Sequence, residues 1–377
     1  MTLPLTDPAA LAEALIACPS VTPATGAVFD CLEAMLAPLG FTVSRFVDGE
    51  APEEPVENLL AVRAGTGPHF AFAGHLDVVP PGEGWTSDAF RPERRGELLY
   101  GRGAVDMKGS IAAFVAAVAR AGNETGPLSL LITGDEEGDA VHGTRALMRH
   151  MAARGVTPDL CLVGEPTSVN RLGDMIKIGR RGSVNMWITV PGMQGHVAYP
   201  HLAKNPISPL VRILAAIEAI VLDEGTDWFQ PSNIEITDLH VGNPATNVIP
   251  GKATAHLSIR FNDLHSGASL TERIGAIVAA EGGTLDAKIS GEAFLTPPGA
   301  LSALVSNAIE AETGVVPELS TSGGTADARF LPPPCPGVEV GLINATMHKL
   351  DEAVALPDLE QLTRIYGRIL GHVQTAC

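Results

Sequence analysis

The sequence predicts an α/β protein in which a mixed sheet flanked by helices is interrupted by an inserted ferredoxin-like βαββαβ unit. Three observations carry this reading. The chain has 377 residues, 45% of them hydrophobic and 18% charged, which suits two folded domains at roughly 100 to 200 residues each. Strand and helix patterns alternate through the first half, with polar residues gathered just past the strand ends. From about Arg181 the order becomes strand, helix, strand, strand, helix, strand, before the alternation resumes near Leu301. The expected boundaries are 1–179 and 294–377 for the outer domain and 180–293 for the insert.

In order along the chain, Pro8 to Ala17 and Ala27 to Leu39 read as helices, the second stopping at Gly40. Asn58 to Ala64 and Pro68 to Ala73 are short β-type runs, the latter leading into Gly74-His75-Leu76-Asp77. Gly109 to Ala121 is a helix entered from a Gly-rich turn, Leu128 to Thr133 a strand, Gly143 to Arg154 a helix and Leu160 to Val163 a strand. In the insert, Val184 to Val190, Asn233 to His240, Ala253 to Phe261 and Thr284 to Ile289 are strands, and Pro206 to Val221 and Leu270 to Glu281 are helices. Leu301 to Thr313 is helical, Val338 to Ile343 is a strand and Leu359 to Val373 is a closing helix.

The formal charge of −18 argues against a general nucleic-acid binder, because phosphate binding needs a basic face that displaces counterions. An anionic substrate would have to be met by local arginines or metal ions working against that field. The five cysteines are widely spaced and form no Cys-x-x-Cys pair, which favours reduced thiols. Ile16-Ala17-Cys18 resembles a lipoprotein cleavage box, yet no Lys or Arg precedes it and Glu13 interrupts the apolar stretch. The Ala/Val-rich run Ile111 to Ala119 is much shorter than the roughly 20 residues of a membrane span. The expectation is a soluble cytoplasmic protein with neither a nucleic-acid nor a membrane partner.

The chemistry-bearing residues sit at the predicted strand ends. Zinc in a catalytic site takes imidazole nitrogen and carboxylate oxygen, and a two-metal site needs a bridging carboxylate. His75 and Asp77, two apart after an apolar strand, point the same way, so His75 can ligate while Asp77 fixes its tautomer. Taken alone, a His-x-Asp pair equally suits a hydrogen-bonded turn histidine. Asp106 lies in Gly101-Arg102-Gly103-Ala104-Val105-Asp106-Met107-Lys108-Gly109, where glycines let the backbone place one carboxylate sharply; it is the natural bridge. The stretch fits neither the P-loop spacing nor the dinucleotide fingerprint. Asp135-Glu136-Glu137-Gly138 packs three acids into a turn, which costs Coulombic repulsion unless cations or protons relieve it. Such a run can also be a solvated turn. Neighbouring residues in extended backbone point apart, so Glu137 is assigned to a metal and Glu136 to the water as general base. Glu165, in Gly164-Glu165-Pro166-Thr167, and His348, after the strand ending at Ile343, complete the set. Each alone has a structural explanation; together at strand ends they define a metal centre.

Gly-His-Leu-Asp-Val-Val-Pro at 74–80, Gly-Arg-Gly-Ala-Val-Asp-Met-Lys-Gly at 101–109, Asp-Glu-Glu-Gly at 135–138 and Gly-Glu-Pro-Thr at 164–167 together resemble the aminoacylase/carboxypeptidase family of dinuclear zinc hydrolases. The resemblance runs over nearly the whole chain. It implies a catalytic domain with two zinc ions per subunit, for which cobalt or manganese can substitute. His75 and Glu165 would hold one ion, Glu137 and His348 the other, and Asp106 would bridge them. It also implies a cis peptide at Asp106-Met107 and an insert that makes a homodimer, with His196 reaching across the interface to stabilise the oxyanion and Asn247 coming from the same direction.

Three further segments resemble one branch of the family: Gly179-Arg180-Arg181-Gly182-Ser183, Gln194-Gly195-His196-Val197-Ala198-Tyr199-Pro200-His201 and Ser322-Gly323-Gly324-Thr325-Ala326-Asp327. They imply that Arg180, Ser183, Tyr199, Arg260, Gly324, Thr325 and Asn344 bind a small amide substrate rich in carboxylates, for which forked guanidinium groups are suited. Arg260, in a strand, is otherwise an ordinary edge or interface charge. Leu76 and Ala326 depart from the branch, where Thr and Ser are common, and bear on the substrate more than on the metals. The rivals are a related deacylase or dipeptidase, and a non-catalytic relative that binds without turnover.

Overall fold

The computed structural model describes residues 3–122, 125–138, 140–324, 326–331 and 335–376. The chain divides into two compact units: Met1–Ile178 with Thr296–Ser320 and Ala326–Cys377, and Gly179–Leu295 with Thr321–Thr325. The return of 321–325 to the second unit is not visible in the hydrophobic pattern; Thr321 Oγ1 donates to the carbonyl of Trp228 at 2.5 Å, tying the segment there.

The first unit is built on a mixed eight-stranded sheet in the order Thr42–Asp48, Val56–Arg63, Leu128–Thr133, Phe70–His75, Leu160–Val163, Gly337–Glu339, Met175–Lys177, Glu318–Ser320. The four strands from Leu128–Thr133 to Gly337–Glu339 run parallel. Their near-continuous apolar runs follow from burial on both faces. The helix Lys108–Ala121 is buried all round its first eleven residues and lies against Pro8–Ile16 and Leu356–Ala376. Its alanines permit that close approach. Leu356–Ala376 buries Leu359, Leu362, Ile365, Tyr366, Ile369 and Leu370, a stripe of helical period, and Tyr366 donates to the carbonyl of Val340 at 2.7 Å. Phe72 stacks on Phe114 with ring centroids 4.2 Å apart, joining sheet to helix.

Parallel strands end on one edge, and that edge carries the chemistry. His75 is the last residue of its strand, Asp135 to Glu137 follow Leu128–Thr133, Glu165 follows Leu160–Val163, and His348 follows Gly337–Glu339 through a 3₁₀ turn, Asn344–Thr346. Two expected elements are shorter than their apolar runs. The strand expected over Val338 to Ile343 keeps its ladder only to Glu339, although Val340 and Leu342 stay fully buried. The helix expected from Pro206 to Val221 ends at Glu218.

In the second unit the strands Asn233–His240, Lys252–Phe261, Gly182–Pro191 and Thr284–Gly291 form an antiparallel sheet in that order. With the helices Ile207–Glu218 and Gly267–Ala280 this is the ferredoxin-like order. Val184, Met186, Ile188 and Val190 alternate inward, where they meet Leu210, Ile213, Ile217, Leu270, Ile274 and Val278. Burying each such side chain contributes about 1.5 to 3 kcal/mol. Asn233–His240 is an edge strand with Ile236 and Leu239 exposed, an open row of backbone donors and acceptors beside apolar side chains. Among the described residues no helix is long and apolar enough to cross a membrane.

Candidate metal centre

At the end of its strand His75 is fully buried, and Nδ1 lies 2.9 Å from the backbone carbonyl of Asp77. Donation there leaves Nε2 to ligate. The Asp77 carboxylate stands beside the same nitrogen, with Oδ1 3.6 Å from Nδ1, while the main-chain carbonyl makes the hydrogen bond. The Asp77 carboxylate also accepts from the amides of Glu136 at 3.2 Å and Glu137 at 2.9 Å. Those amides belong to a turn with no ladder partner, so a buried carboxylate is their natural acceptor.

Asp106 precedes the buried helix in a loop that only glycine allows. Gly103 has φ +85°, and a Cβ there would meet Val78 at 2.9 Å and Lys108 at 3.0 Å. The Asp106-Met107 peptide is cis, as the resemblance implies. The two oxygens of Asp106 face two different imidazoles. Oδ1 is 3.2 Å from His75 Nε2, and Oδ2 is 3.2 Å from His348 Nε2. Around the first, Glu165 Oε1 lies 3.8 Å from His75 Nε2; around the second, Glu137 Oε1 lies 2.8 Å from His348 Nε2. The ligand atoms of His75, Asp106 and Glu137 all lie within 4.8 Å of one another, as do those of His75, Glu136 and Glu165. His348 has φ +59°, a left-handed conformation uncommon outside glycine. Its side chain is 45% exposed while those of Asp106 and Glu137 are only 7% and 8% exposed, so the cluster opens to solvent on that side.

The electrostatics fit cations. Burial, and then the charges of Glu165 and Asp327, push the Glu136 carboxyl well above its ordinary range. Hydrogen bonds to Asp106 and Glu137 lift His348 to about 10. His75 is also raised, because Asp106, Asp77 and Glu165 together outweigh the opposing effect of burial. Both imidazoles are thus pushed toward their protonated form, which offsets the carboxylates. A divalent cation would do the same and release those protons. The donors are nitrogen and oxygen, the set zinc takes in catalytic sites.

One acid in this neighbourhood was not singled out from the sequence. Asp327 is buried, accepts from Thr144 Oγ1 at 2.6 Å and is pushed up to about 6 by burial. Its only sequence signal was its place in the Ser-Gly-Gly segment.

The remaining residues singled out from the sequence divide between the units. Asn344 opens the 3₁₀ turn before His348, with its amide on the carbonyl of Ser168 at 2.9 Å. In the second unit Arg260 Nη1 donates to Ser183 Oγ at 2.5 Å and Ser258 Oγ at 2.8 Å. Arg180 Nη1 donates to the carbonyl of Gly324 at 3.3 Å. His196 and Asn247 share a small ribbon, in which His196 pairs with Val248 and Val197 donates to the carbonyl of Asn247 at 3.0 Å. Both are exposed, and Tyr199 beside them is 57% exposed. Thr325 lies outside the described residues.

A carboxylate shared between two imidazole and carboxylate pairs, with a further glutamate beside them, is the site of a metal-dependent hydrolase. The sequence profile of Peptidase family M20/M25/M40 matches residues 71–372, and the chain belongs to that family. It is 72% identical over 371 residues to the succinyl-diaminopimelate desuccinylase of Sphingopyxis alaskensis, covering 97% of this chain and 98% of that relative. Its fold is similar to that of a tripeptidase from Staphylococcus aureus, at TM-score 0.78 and 16% identity over 100% of both chains. It is also similar to that of the Bacillus subtilis YXEP protein, described as a dinuclear metal binding peptidase from the M20 family, at TM-score 0.71 and 16% identity over 99% of both chains. The protein is a metal-dependent amidohydrolase, and the family together with the ligand cluster points to a pair of divalent cations.

Proposed function

We propose that the protein hydrolyses the amide of N-succinyl-LL-2,6-diaminopimelate to succinate and LL-2,6-diaminopimelate, in lysine and diaminopimelate biosynthesis. The observation that carries this reading is the 72% identity, over nearly the full length of both chains, to a succinyl-diaminopimelate desuccinylase. The metal pair is zinc, with cobalt or manganese able to substitute. His75 and Glu165 would hold one ion and Glu137 and His348 the other, with Asp106 serving both.

Bound there, the cations would polarise the scissile carbonyl and acidify the attacking water. Glu136 accepts the proton of that water and passes it to the departing amine nitrogen. His196 donates a hydrogen bond to the tetrahedral oxyanion. Arg180, Ser183, Tyr199, Arg260, Gly324, Thr325 and Asn344 hold the carboxylates and backbone of the substrate, guanidinium forks being suited to carboxylates. The insert makes a homodimer, a reading supported by the exposed apolar side chains on its open edge strand. His196 and Asn247 then serve the partner subunit's site. The protein acts in the cytoplasm, and its four described cysteines are free thiols.

The test is a side-by-side assay of the zinc-loaded protein with N-succinyl-diaminopimelate and N-acetylornithine. A clear preference for the first is expected. Preference for the second would replace the substrate reading with an acetylornithine deacetylase, and turnover of neither would favour a non-catalytic binding relative. His196→Ala is expected to lower kcat by about 10²- to 10³-fold, the usual cost of an oxyanion donor. Mixed dimers of His196→Ala with Glu136→Gln should regain part of the activity; no recovery would place His196 in its own subunit's reaction.

A further inference from the structure

Glu352 is fully buried, four residues beyond His348, and the mechanism above does not use it. Its carboxylate gathers four donors. Oε1 accepts from the amides of Val105 at 2.8 Å and Asp106 at 3.1 Å, and Oε2 accepts from the amide of Gly103 at 3.1 Å and from Arg102 Nη1 at 2.9 Å. The backbone carbonyl of Glu352 accepts from the amide of Gly101 at 2.9 Å. One residue therefore satisfies nearly every inward amide of the loop that presents the bridging carboxylate.

Arg102, 2% exposed, extends the grip in the other direction. Its Nη1 also donates to the carbonyl of Lys349 at 3.1 Å, next to His348, and its Nη2 donates to the carbonyl of Pro81 at 3.1 Å. The turn that bears His348 is closed on itself by Thr346 Oγ1, which donates to the carbonyl of Ala353 at 2.9 Å and accepts from its amide at 3.1 Å. His348 sits in this turn at φ +59° and Asp106 in a glycine-dependent loop, so neither backbone would hold its place by local preference alone.

We infer that the buried Glu352 and Arg102 pair is a positioning device for the metal centre, fixing the separation of Asp106 and His348 before any cation binds. The inference rests on the metal-centre reading above. Glu352 contacts no metal in this account. It acts through the amide of Asp106 itself and, by way of Arg102, through the carbonyl that follows His348. A buried ion pair of this kind adds little net stability, because desolvation opposes the attraction, whereas it can fix one geometry among several. Partners that orient metal ligands in this way typically change metal affinity 10- to 100-fold when lost.

The test compares the parent chain with Glu352→Gln and with the double variant Arg102→Gln/Glu352→Gln, using Zn²⁺ and Co²⁺ as probes. The single variant leaves a guanidinium buried without its counterion and is prone to misfold; the double variant carries no unpaired charge. Calorimetric metal titration and the spin-coupled signature of the dicobalt form read the centre without turnover. The expected result is two metals on the parent, a second metal bound about 10- to 100-fold more weakly by the folded variants, and a diminished coupling signature. Parental affinity and unchanged coupling in a folded variant would overturn the inference and leave the metal-centre reading intact. A parent that binds fewer than two metals would overturn that reading first. Hydrogen exchange on the metal-free parent needs no variant: the amides of Gly103, Val105 and Asp106 should already be protected. Exchange there as fast as in open loops would show that nothing is positioned in advance, and the inference would fall.

Discussion

Replacing Glu136 with glutamine should leave two metals bound and lower kcat by about 10²- to 10⁴-fold, the range that a positioned general acid and base supplies. The amide side chain keeps the volume and one acceptor oxygen but cannot take a proton. The backbone at this point is fixed independently of the side chain, because Asp77 holds the amides of both Glu136 and Glu137. The imidazole of His348 faces Glu137 and Asp106, so in the proposed pairing the second metal position loses no donor in this variant. Metal content by atomic absorption, measured beside kcat, separates the two effects. Full metal content with parental turnover would remove Glu136 from the role of base.

The second large effect is expected at Asp106. In Asp106→Ala both imidazoles lose a carboxylate oxygen that stands 3.2 Å away. The second metal should bind more than about 100-fold more weakly, beyond the range seen when only an outer hydrogen-bonding partner is lost. Turnover should fall with it. The fold should survive, because the change removes one of several crowded carboxylates and leaves the buried helix beyond it intact. Calorimetric titration with Zn²⁺ reads the outcome. Two tightly bound metals in this variant would move the bridge to Glu137 or Glu165.

Much of this arrangement was legible in the sequence because the central strands are apolar runs bounded by chemistry. Leu128–Thr133, Leu160–Val163 and Asn233–His240 fall where the pattern put them, and the acids and histidines gather at the edge where parallel strands end. The edge strand Thr42–Asp48 was missed because its side chains are mostly half-buried, so neither a full apolar run nor a clean alternation marks it. Glu93–Arg95 and Leu98–Tyr100 are too short for any period to emerge. The acceptor role of Asp77 toward the amides of Glu136 and Glu137 was not legible for another reason. Spacing tells which face a residue shares, but not which of two nearby donors its carboxylate will take. Glu352 was out of reach altogether, since its partners lie about 250 positions earlier in the chain and no local pattern announces them.

The insertion of the second unit has a consequence for how the centre is assembled. Ile178 and Thr296, the residues that flank the insert in the first unit, are joined by a backbone hydrogen bond of 2.7 Å. Inside the insert, Gly179 and Arg180 pair with Leu295 and Phe294. A folded insert therefore begins and ends at nearly one point and acts as a short staple in the outer chain. Without it, joining His348 to the donors that precede the insert would close a loop long enough to carry a substantial entropic cost, one that grows with the logarithm of length. His75, Asp106 and Glu165 come before the insert and His348 after it. In the proposed pairing, the donors of one metal position can gather first during synthesis, and the other is completed only when the last fifth of the chain has emerged, roughly ten seconds or more later at about 5 to 20 residues per second.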